Sequence, residues 1–251
     1  MAKDKRLKTA NPQTKPSPAV KAAAAAAVTT PPDWPAFKPP LPVVDLEFDS
    51  LVEDKVVVLR SFFPKNLCRD YVSFLRTLPL ITTPGKPKRG DAVRVNDRFQ
   101  IQDPRFADRL WLETGLKEAV LRDEVSHLWG GQVVGLNPNI RVYRYTPGQF
   151  FDAHYDDANN VTLTTTTPPT QSRTTWTILI YLTSSTEGCV GGETVFYPHD
   201  RQSAKEAIPV SLETGMLLLH KHGDDCMLHE GREVKAGEKW VLRTDLCVLR
   251  K

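Results

Sequence analysis

A chain of 251 residues, 40% hydrophobic and 25% charged, is composed like an ordinary globular protein, with room for one substantial domain plus appendages or for two small domains. It contains no apolar run of the ~18 residues that a membrane-spanning helix needs, so no membrane span is expected. The net charge of +3 is uneven: residues 1–40 hold seven Lys/Arg against Asp4 and Asp33, a balance of +5, which leaves −2 for the remainder and argues against a basic globular face for nucleic acid.

The start Met1-Ala2-Lys3-Asp4-Lys5 has no apolar segment behind it, so a secretory leader is not expected. Cys68, Cys189, Cys226 and Cys247 are widely spaced and form no Cys-x-x-Cys pair. That disfavours a zinc ribbon or a disulfide scaffold and suits reduced thiols in a cytoplasmic or nuclear compartment.

In chain order, residues 1–42 read as a disordered Pro/Ala/Lys-rich extension, with Pro31-Pro32, Pro39-Pro40 and an alanine run at 22–27. Residues 43–251 read as one folded domain, helical over 60–130 and a jelly roll over 131–251. Val56–Leu59 is an expected strand. Leu67, Tyr71, Phe74 and Leu75 recur at helical spacing over 64–77, and Phe106, Leu110, Leu116 and Val120 continue a second helical pattern over 105–129, closed by Gly130-Gly131.

Short strands follow, expected at Val133–Leu136, Ile140–Tyr145, Phe150–Asp156, Trp176–Leu182, Glu193–Tyr197, Met216–His220, Met227–His229 and Lys239–Val248. Such spacing suits a sandwich or jelly-roll barrel with the helices packed outside it. The fold class is therefore mainly β with packed helices (α+β). The Thr-rich stretch 161–175 reads as a long mobile loop of the kind that serves as a lid.

Within the Phe150–Asp156 strand, alternation turns His154 and Asp156 to one face and Asp157 to the other. Two histidines and one carboxylate make a facial triad suited to ferrous iron, with coordination positions left for substrate and oxygen. The third place has two claimants. His229 is one, and the pair His220/His222, also alternating on one face, is a rival metal site. A strand from Glu238 onward would place Lys239, Val241 and Arg243 on one face, where a cation could pair with the distal carboxylate of a dicarboxylic co-substrate. Gly191-Gly192 reads as a tight turn or a close backbone approach. The alternation Arg94-x-Asn96-x-Arg98 is either a solvated strand face or the mouth of the barrel, where these three residues would meet substrate.

The motifs are ordered: Tyr145-x-x-Gly148-Gln149-x-x-x-x-His154-x-Asp156, then Gly191-Gly192-Glu193-Thr194-x-Phe196, then Gly215-x-Leu217-Leu218-Leu219, then His229 with Lys239 ten residues on. Over about residues 141–248 this resembles the prolyl 4-hydroxylase-like branch of the 2-oxoglutarate- and Fe(II)-dependent dioxygenases. The resemblance implies a double-stranded β-helix core with iron held by His154, Asp156 and His229. It also implies 2-oxoglutarate bound by Lys239, with Arg243 as the fallback and Tyr145 and Tyr181 as further contacts. Fe(II), 2-oxoglutarate and O2 are the implied cofactor and co-substrates, with ascorbate as an optional accessory.

The expected reaction is hydroxylation of a C–H bond with release of succinate and CO2. A protein or peptide side chain such as peptidyl proline is the leading substrate. The loop 157–175 and the absence of a peptide-binding repeat domain depart from the collagen-type enzymes and leave the substrate open. Two alternatives stand beside this reading: oxidative demethylation of nucleic acid on the same scaffold, and a non-catalytic β-helix binding module. The oligomeric state is open.

Overall fold

The structure, a computed structural model, describes residues 30–38, 46–83 and 92–250. Two antiparallel sheets face each other. The larger has ten strands and runs Phe48–Val52, Val56–Leu59, Leu217–Lys221, Thr170–Tyr181, Lys239–Leu249, Asn139–Tyr145, Asp97–Gln102 and Ile81–Thr82. Val133–Leu136 extends it against Lys239–Leu249, and Asn160–Leu163 against Thr170–Tyr181. The smaller runs Ile208–Val210, Thr194–Tyr197, Leu228–Gly231, Phe150–His154 and Arg94–Val95. From residue 139 the chain passes repeatedly between the two sheets. It goes from Asn139–Tyr145 to Phe150–His154, back to Thr170–Tyr181, across to Thr194–Tyr197, and returns through Leu217–Lys221 and Leu228–Gly231 to Lys239–Leu249. This alternation makes the double-stranded β-helix.

Period-2 patterning assigns each side of the large sheet a task. Trp176, Ile178 and Ile180, Trp240 and Leu242, and Ile140 and Val142 turn outward into a core shared with the helices. Burying side chains of this size contributes roughly 1.5–3 kcal/mol each, so the outer face stabilises the barrel wall. The intervening residues Tyr143, Tyr145, Tyr181 and Val241 turn inward and pack with Phe196, Val210 and Val234. Lys239, Val241 and Arg243 share one face as the alternation requires, and all three line the same cavity.

The helix Lys65–Leu75 buries Leu67, Cys68, Tyr71 and Leu75, as its apolar spacing demands. The second helical stretch is broken. Pro104–Leu112 begins where Asp103 accepts a hydrogen bond from the Phe106 amide, and it stops before Gly115, whose φ of 73° is left-handed. The short helices Leu116–Val120 and Asp123–Ser126 and a 3-10 turn follow, ended by Gly130 at φ 74°. The periodicity of residues 105–129 survives these breaks because each piece docks on the same sheet face.

Three expectations need correction. Residues 30–38 are not an unattached extension: Trp34 and Phe37 are buried in the outer core. Trp34 stacks on Phe106 at 4.2 Å between ring centroids, and its Nε1 donates to Asp103 Oδ2 at 2.8 Å. Two large aromatics suffice to anchor a Pro-rich segment whose composition otherwise disfavours folding. The rest of the expected 1–42 extension, apart from residues 30–38, lies outside the described residues. Second, residues 60–130 are not purely helical: Asp97–Gln102 and Arg94–Val95 join the two sheets, because short strands with polar outward positions carry little periodic signal. Third, the 161–175 stretch is mostly paired. Asn160–Leu163 and the start of Thr170–Tyr181 form a hairpin with Ser172 opposite Val161, which is how β-branched threonines pack.

Candidate metal centre

His154 and His229 lie directly opposite each other on adjacent strands, Phe150–His154 and Leu228–Gly231. Their Nδ1 atoms donate to the carbonyls of Asp152 at 2.8 Å and Met227 at 2.9 Å. Each ring is thereby fixed with Nε2 as the lone-pair nitrogen, facing the shared space between the strands.

Asp156 completes the set by another route than expected. The strand ends at His154, so strand alternation does not aim the carboxylate. Its backbone is pinned instead. The Asp156 amide donates to Cys226 Sγ at 3.3 Å, and its carbonyl accepts from the Gly223 amide at 2.8 Å. The side chain is held by Thr177 Oγ1 at 2.8 Å and Arg243 Nη2 at 2.9 Å, both on Oδ2. Oδ1 then lies 3.7 Å from His154 Nε2. One ligand atom from each of His154, Asp156 and His229 falls within 4.8 Å of the others.

The electrostatics suit a divalent cation. Burial by itself would raise the Asp156 carboxyl, but Arg243 and the surrounding histidines hold it well below the usual range. Burial and the neighbouring His229 bring His154 down to about 3, and burial likewise lowers His229. Both imidazoles are therefore neutral and the carboxylate charged at neutral pH, the forms that metals bind. One carboxylate and two imidazoles with free Nε2 atoms fit Fe(II).

The rival His220/His222 pair is split. His222 has one ring nitrogen on Thr174 at 2.9 Å and the other on Thr177 at 3.0 Å. His220 is buried beside the centre, its Nε2 3.6 Å from Asp156 Oδ2. With Cys226 and His229 it forms a second group of metal-type side chains, which shares His229 with the first.

A cavity opens from this cluster, lined by Tyr143, Tyr145, Phe151, Leu179, Thr194, Lys239 and Arg243 besides His154, Asp156 and His229. Lys239 is buried there. Its Nζ donates to the Gly192 carbonyl at 2.7 Å and lies over the rings of Tyr145 and Tyr181 at 5.3 and 5.6 Å. Gly192 has φ 76°, and a Cβ there would stand 3.2 Å from the Lys239 side chain, so glycine permits the approach. Burial brings the Lys239 ammonium down to about 8. Among the described residues Lys239 has no carboxylate partner, whereas Arg243 is engaged by Asp156. Tyr181 spends its hydroxyl on Thr194 at 2.7 Å, so the Lys239 ammonium meets its ring face.

Of the expected substrate residues, Asn96 is fully buried where the chain crosses from the small sheet to the large one, tied to Thr83 by its amide at 2.9 Å. Arg94 and Arg98 lie on either side of that crossing, against the Tyr143 ring. Thr177 and Cys226 were not among the expected site residues, whereas His220 was, as half of the rival pair. Thr177 alone had a readable signal, since it shares a strand face with Tyr181.

Residues 140–244 match the family model of the 2OG-Fe(II) oxygenase superfamily. No curated protein matches the sequence. Similar solved structures include a prolyl-4-hydroxylase from Pseudomonas putida, 15% identical, with 78% of this chain and 93% of that chain covered and a TM-score of 0.50. A prolyl hydroxylase from Trichoplax adhaerens in complex with a peptide fragment of the hypoxia inducible factor oxygen degradation domain is 16% identical, with 77% and 84% covered and a TM-score of 0.51. A 2OG-Fe(II) oxygenase family oxidoreductase from Burkholderia pseudomallei gives the same identity, coverage and TM-score. Fe(II) is the cofactor of this family, with 2-oxoglutarate and O2 as co-substrates. Residues 140–244 thus resemble the 2OG-Fe(II) oxygenase superfamily, and the double-stranded β-helix is a fold the chain shares with these solved prolyl hydroxylases.

Proposed function

We propose that this protein hydroxylates a C–H bond on a peptide or protein side chain, with peptidyl proline the leading substrate, and releases succinate and CO2. The observation that carries the reading is the convergence of His154, Asp156 and His229 at one end of a cavity whose wall also holds Lys239. In this reading His154, Asp156 and His229 hold the metal. Fe(II) bound there supplies the chemistry that couples oxidative decarboxylation of 2-oxoglutarate to hydroxylation.

The chain's own residues do the positioning. Lys239 takes the distal carboxylate of 2-oxoglutarate, exchanging its bond to the Gly192 carbonyl for a charge-assisted one. Tyr145 and Tyr181 flank that ammonium and keep water from it. Arg243 and Thr177 keep Asp156 ionised and oriented. The peptide class is supported by the Trichoplax prolyl hydroxylase, which was solved with a peptide. Ascorbate is proposed only as an accessory reductant. Among the described residues no helix is long and apolar enough to cross a membrane.

The test is direct. Purified protein should bind one Fe(II) per chain and release succinate from 2-oxoglutarate, slowly even without prime substrate. Peptide products should gain the mass of one oxygen atom. Retained metal and turnover in His154→Ala would overturn the assignment.

A further inference from the structure

Beside the part of the cavity wall formed by Tyr143 and Phe151, positive charge exceeds its partners. On the large sheet Arg98 is directly opposite Tyr143, and Arg141 is directly opposite Arg243 on the next strand. On the small sheet Arg94 is opposite Phe151. The Arg94 guanidinium lies over the rings of Phe151 at 4.9 Å and Tyr143 at 5.7 Å, and that of Arg98 over Tyr143 at 5.9 Å. Tyr143 and Phe151 both wall the cavity, and Phe151 stacks on His154 at 3.6 Å between centroids.

Four guanidiniums thus crowd one phenol. Arg243 is paired with Asp156, and Arg141 with Asp245. Arg94 and Arg98 have no acidic partner among the described residues: Arg98 Nη2 donates to the neutral Gln100 Oε1, and its buried Nε, like those of Arg141 and Arg243, has no hydrogen-bond partner. The cavity's other carboxylate, Glu230, is taken up by Tyr197 at 2.7 Å and Gln202 at 2.9 Å. Tyr143 reports the imbalance: burial would raise its phenol, yet Arg243, Arg141, Arg98 and Arg94 pull it below its ordinary value. Partly buried cations that lack counter-charges are costly alone and are relieved by an anion brought in with a ligand.

We propose that Arg94 and Arg98 form an anion subsite at the Tyr143/Phe151 wall, so that the prime substrate is an acidic peptide with a carboxylate close to the residue hydroxylated. The proposal rests on the oxygenase reading of the adjoining centre. It concerns the prime substrate and not 2-oxoglutarate, because Lys239 stands opposite Tyr145, two residues along the strand from Tyr143. Two unpaired arginines suit one or two carboxylates. A nucleic-acid backbone needs a longer basic track, and residues 41–251 carry a balance of −2.

The experiment uses the full chain under nitrogen, loaded with Fe(II) and 2-oxoglutarate so that binding is read without turnover. Fluorescence anisotropy compares the labelled peptides Gly-Glu-Pro-Glu-Gly and Gly-Gln-Pro-Gln-Gly and a single-stranded oligonucleotide. Wild type should bind the glutamate peptide at least ~10-fold more tightly than the glutamine peptide, as one charged hydrogen bond implies. The preference should fall to within about twofold in R94Q/R98Q and recover partly in R94K/R98K, which also controls for folding. Equal peptide affinities in wild type, a preference untouched by R94Q/R98Q, or an oligonucleotide that binds more tightly than the acidic peptide would each overturn the proposal. So would a rise in the 2-oxoglutarate Kd of R94Q/R98Q with the peptide preference intact. Succinate release by wild type is measured in parallel. If it is absent while the acidic preference stands, the oxygenase reading fails and the subsite survives; if it is present with equal peptide affinities, only the subsite fails.

Discussion

Arg243 Nη2 lies 2.9 Å from Asp156 Oδ2, deep in the barrel, so the cation that could anchor a co-substrate is committed to a metal-type carboxylate. Both groups are buried, and each stabilises the charge of the other. The Thr177 hydroxyl takes the same oxygen and leaves Oδ1 for the centre. Arg243→Met should therefore weaken Fe(II) binding by about 10–100-fold, the usual effect of removing a partner that orients a metal ligand. Anaerobic metal titration measures it. An unchanged metal affinity with a raised 2-oxoglutarate Kd would assign Arg243 to the co-substrate instead.

Lys239→Ala should do the reverse. A charge-assisted bond in a buried pocket contributes about 1.5–3 kcal/mol, so the 2-oxoglutarate Kd should rise roughly 10–150-fold. Metal affinity should hold within a few-fold, because Lys239 touches the Gly192 carbonyl and two aromatic rings but no metal-type ligand. Calorimetric titration of 2-oxoglutarate into the Fe(II)-loaded variant under nitrogen decides it.

The same lysine predicts a pH dependence. Burial lowers its ammonium from 10.5 to about 8 in the ligand-free protein. Below that value Lys239 is already charged, and 2-oxoglutarate binding is insensitive to its titration. Above it, binding must first add a proton, so the Kd should climb by up to about tenfold per pH unit. The slope should vanish in Lys239→Ala. A flat Kd from pH 7 to 9.5 in wild type would show that this ammonium does not hold the co-substrate.

His229→Ala and His220→Ala should separate the two histidine sets. His229 belongs to both groups of metal-type side chains, whereas His220 belongs to the one with Cys226 and not to the one with His154 and Asp156. Fe(II) stoichiometry should fall to near zero in His229→Ala and stay at one per chain in His220→Ala. Loss of the metal in both would move the centre toward His220 and Cys226.

Trp34→Ala removes an aromatic that stacks on Phe106 and also donates to Asp103, the residue that caps the Pro104–Leu112 helix. It should destabilise the fold by about 3–5 kcal/mol, as for other buried large aromatics. Chemical denaturation with the metal held constant tests this. A shift below ~1 kcal/mol would mean that the 30–38 segment is only loosely docked.

Much of the centre was legible because its chemistry is tied to short spacings. His154-x-Asp156 and His229 with Lys239 ten residues on name three metal-type side chains and a cation, and period 2 puts Lys239, Val241 and Arg243 on one face of their strand. Long-range contacts were not legible. Nothing near Asp156 in the chain announces that Thr177 and Arg243 hold it, or that Cys226 and Gly223 pin its backbone, since those partners come from three other segments. Trp34 and Phe37 were hidden for the opposite reason: their neighbours are prolines and lysines, and their burial depends on a groove made by distant helices.

The sequence by itself therefore determined the donor types, the strand alternation and the order of motifs, because these depend on local backbone geometry and side-chain chemistry. Tertiary structure alone decided how charge is shared within the barrel. It paired Arg243 with Asp156 and left Lys239, Arg94 and Arg98 without carboxylate partners among the described residues. Charge balance in a low-dielectric interior is a property of what folding brings within a few ångströms, and that distance is not written in the spacing of residues along a chain.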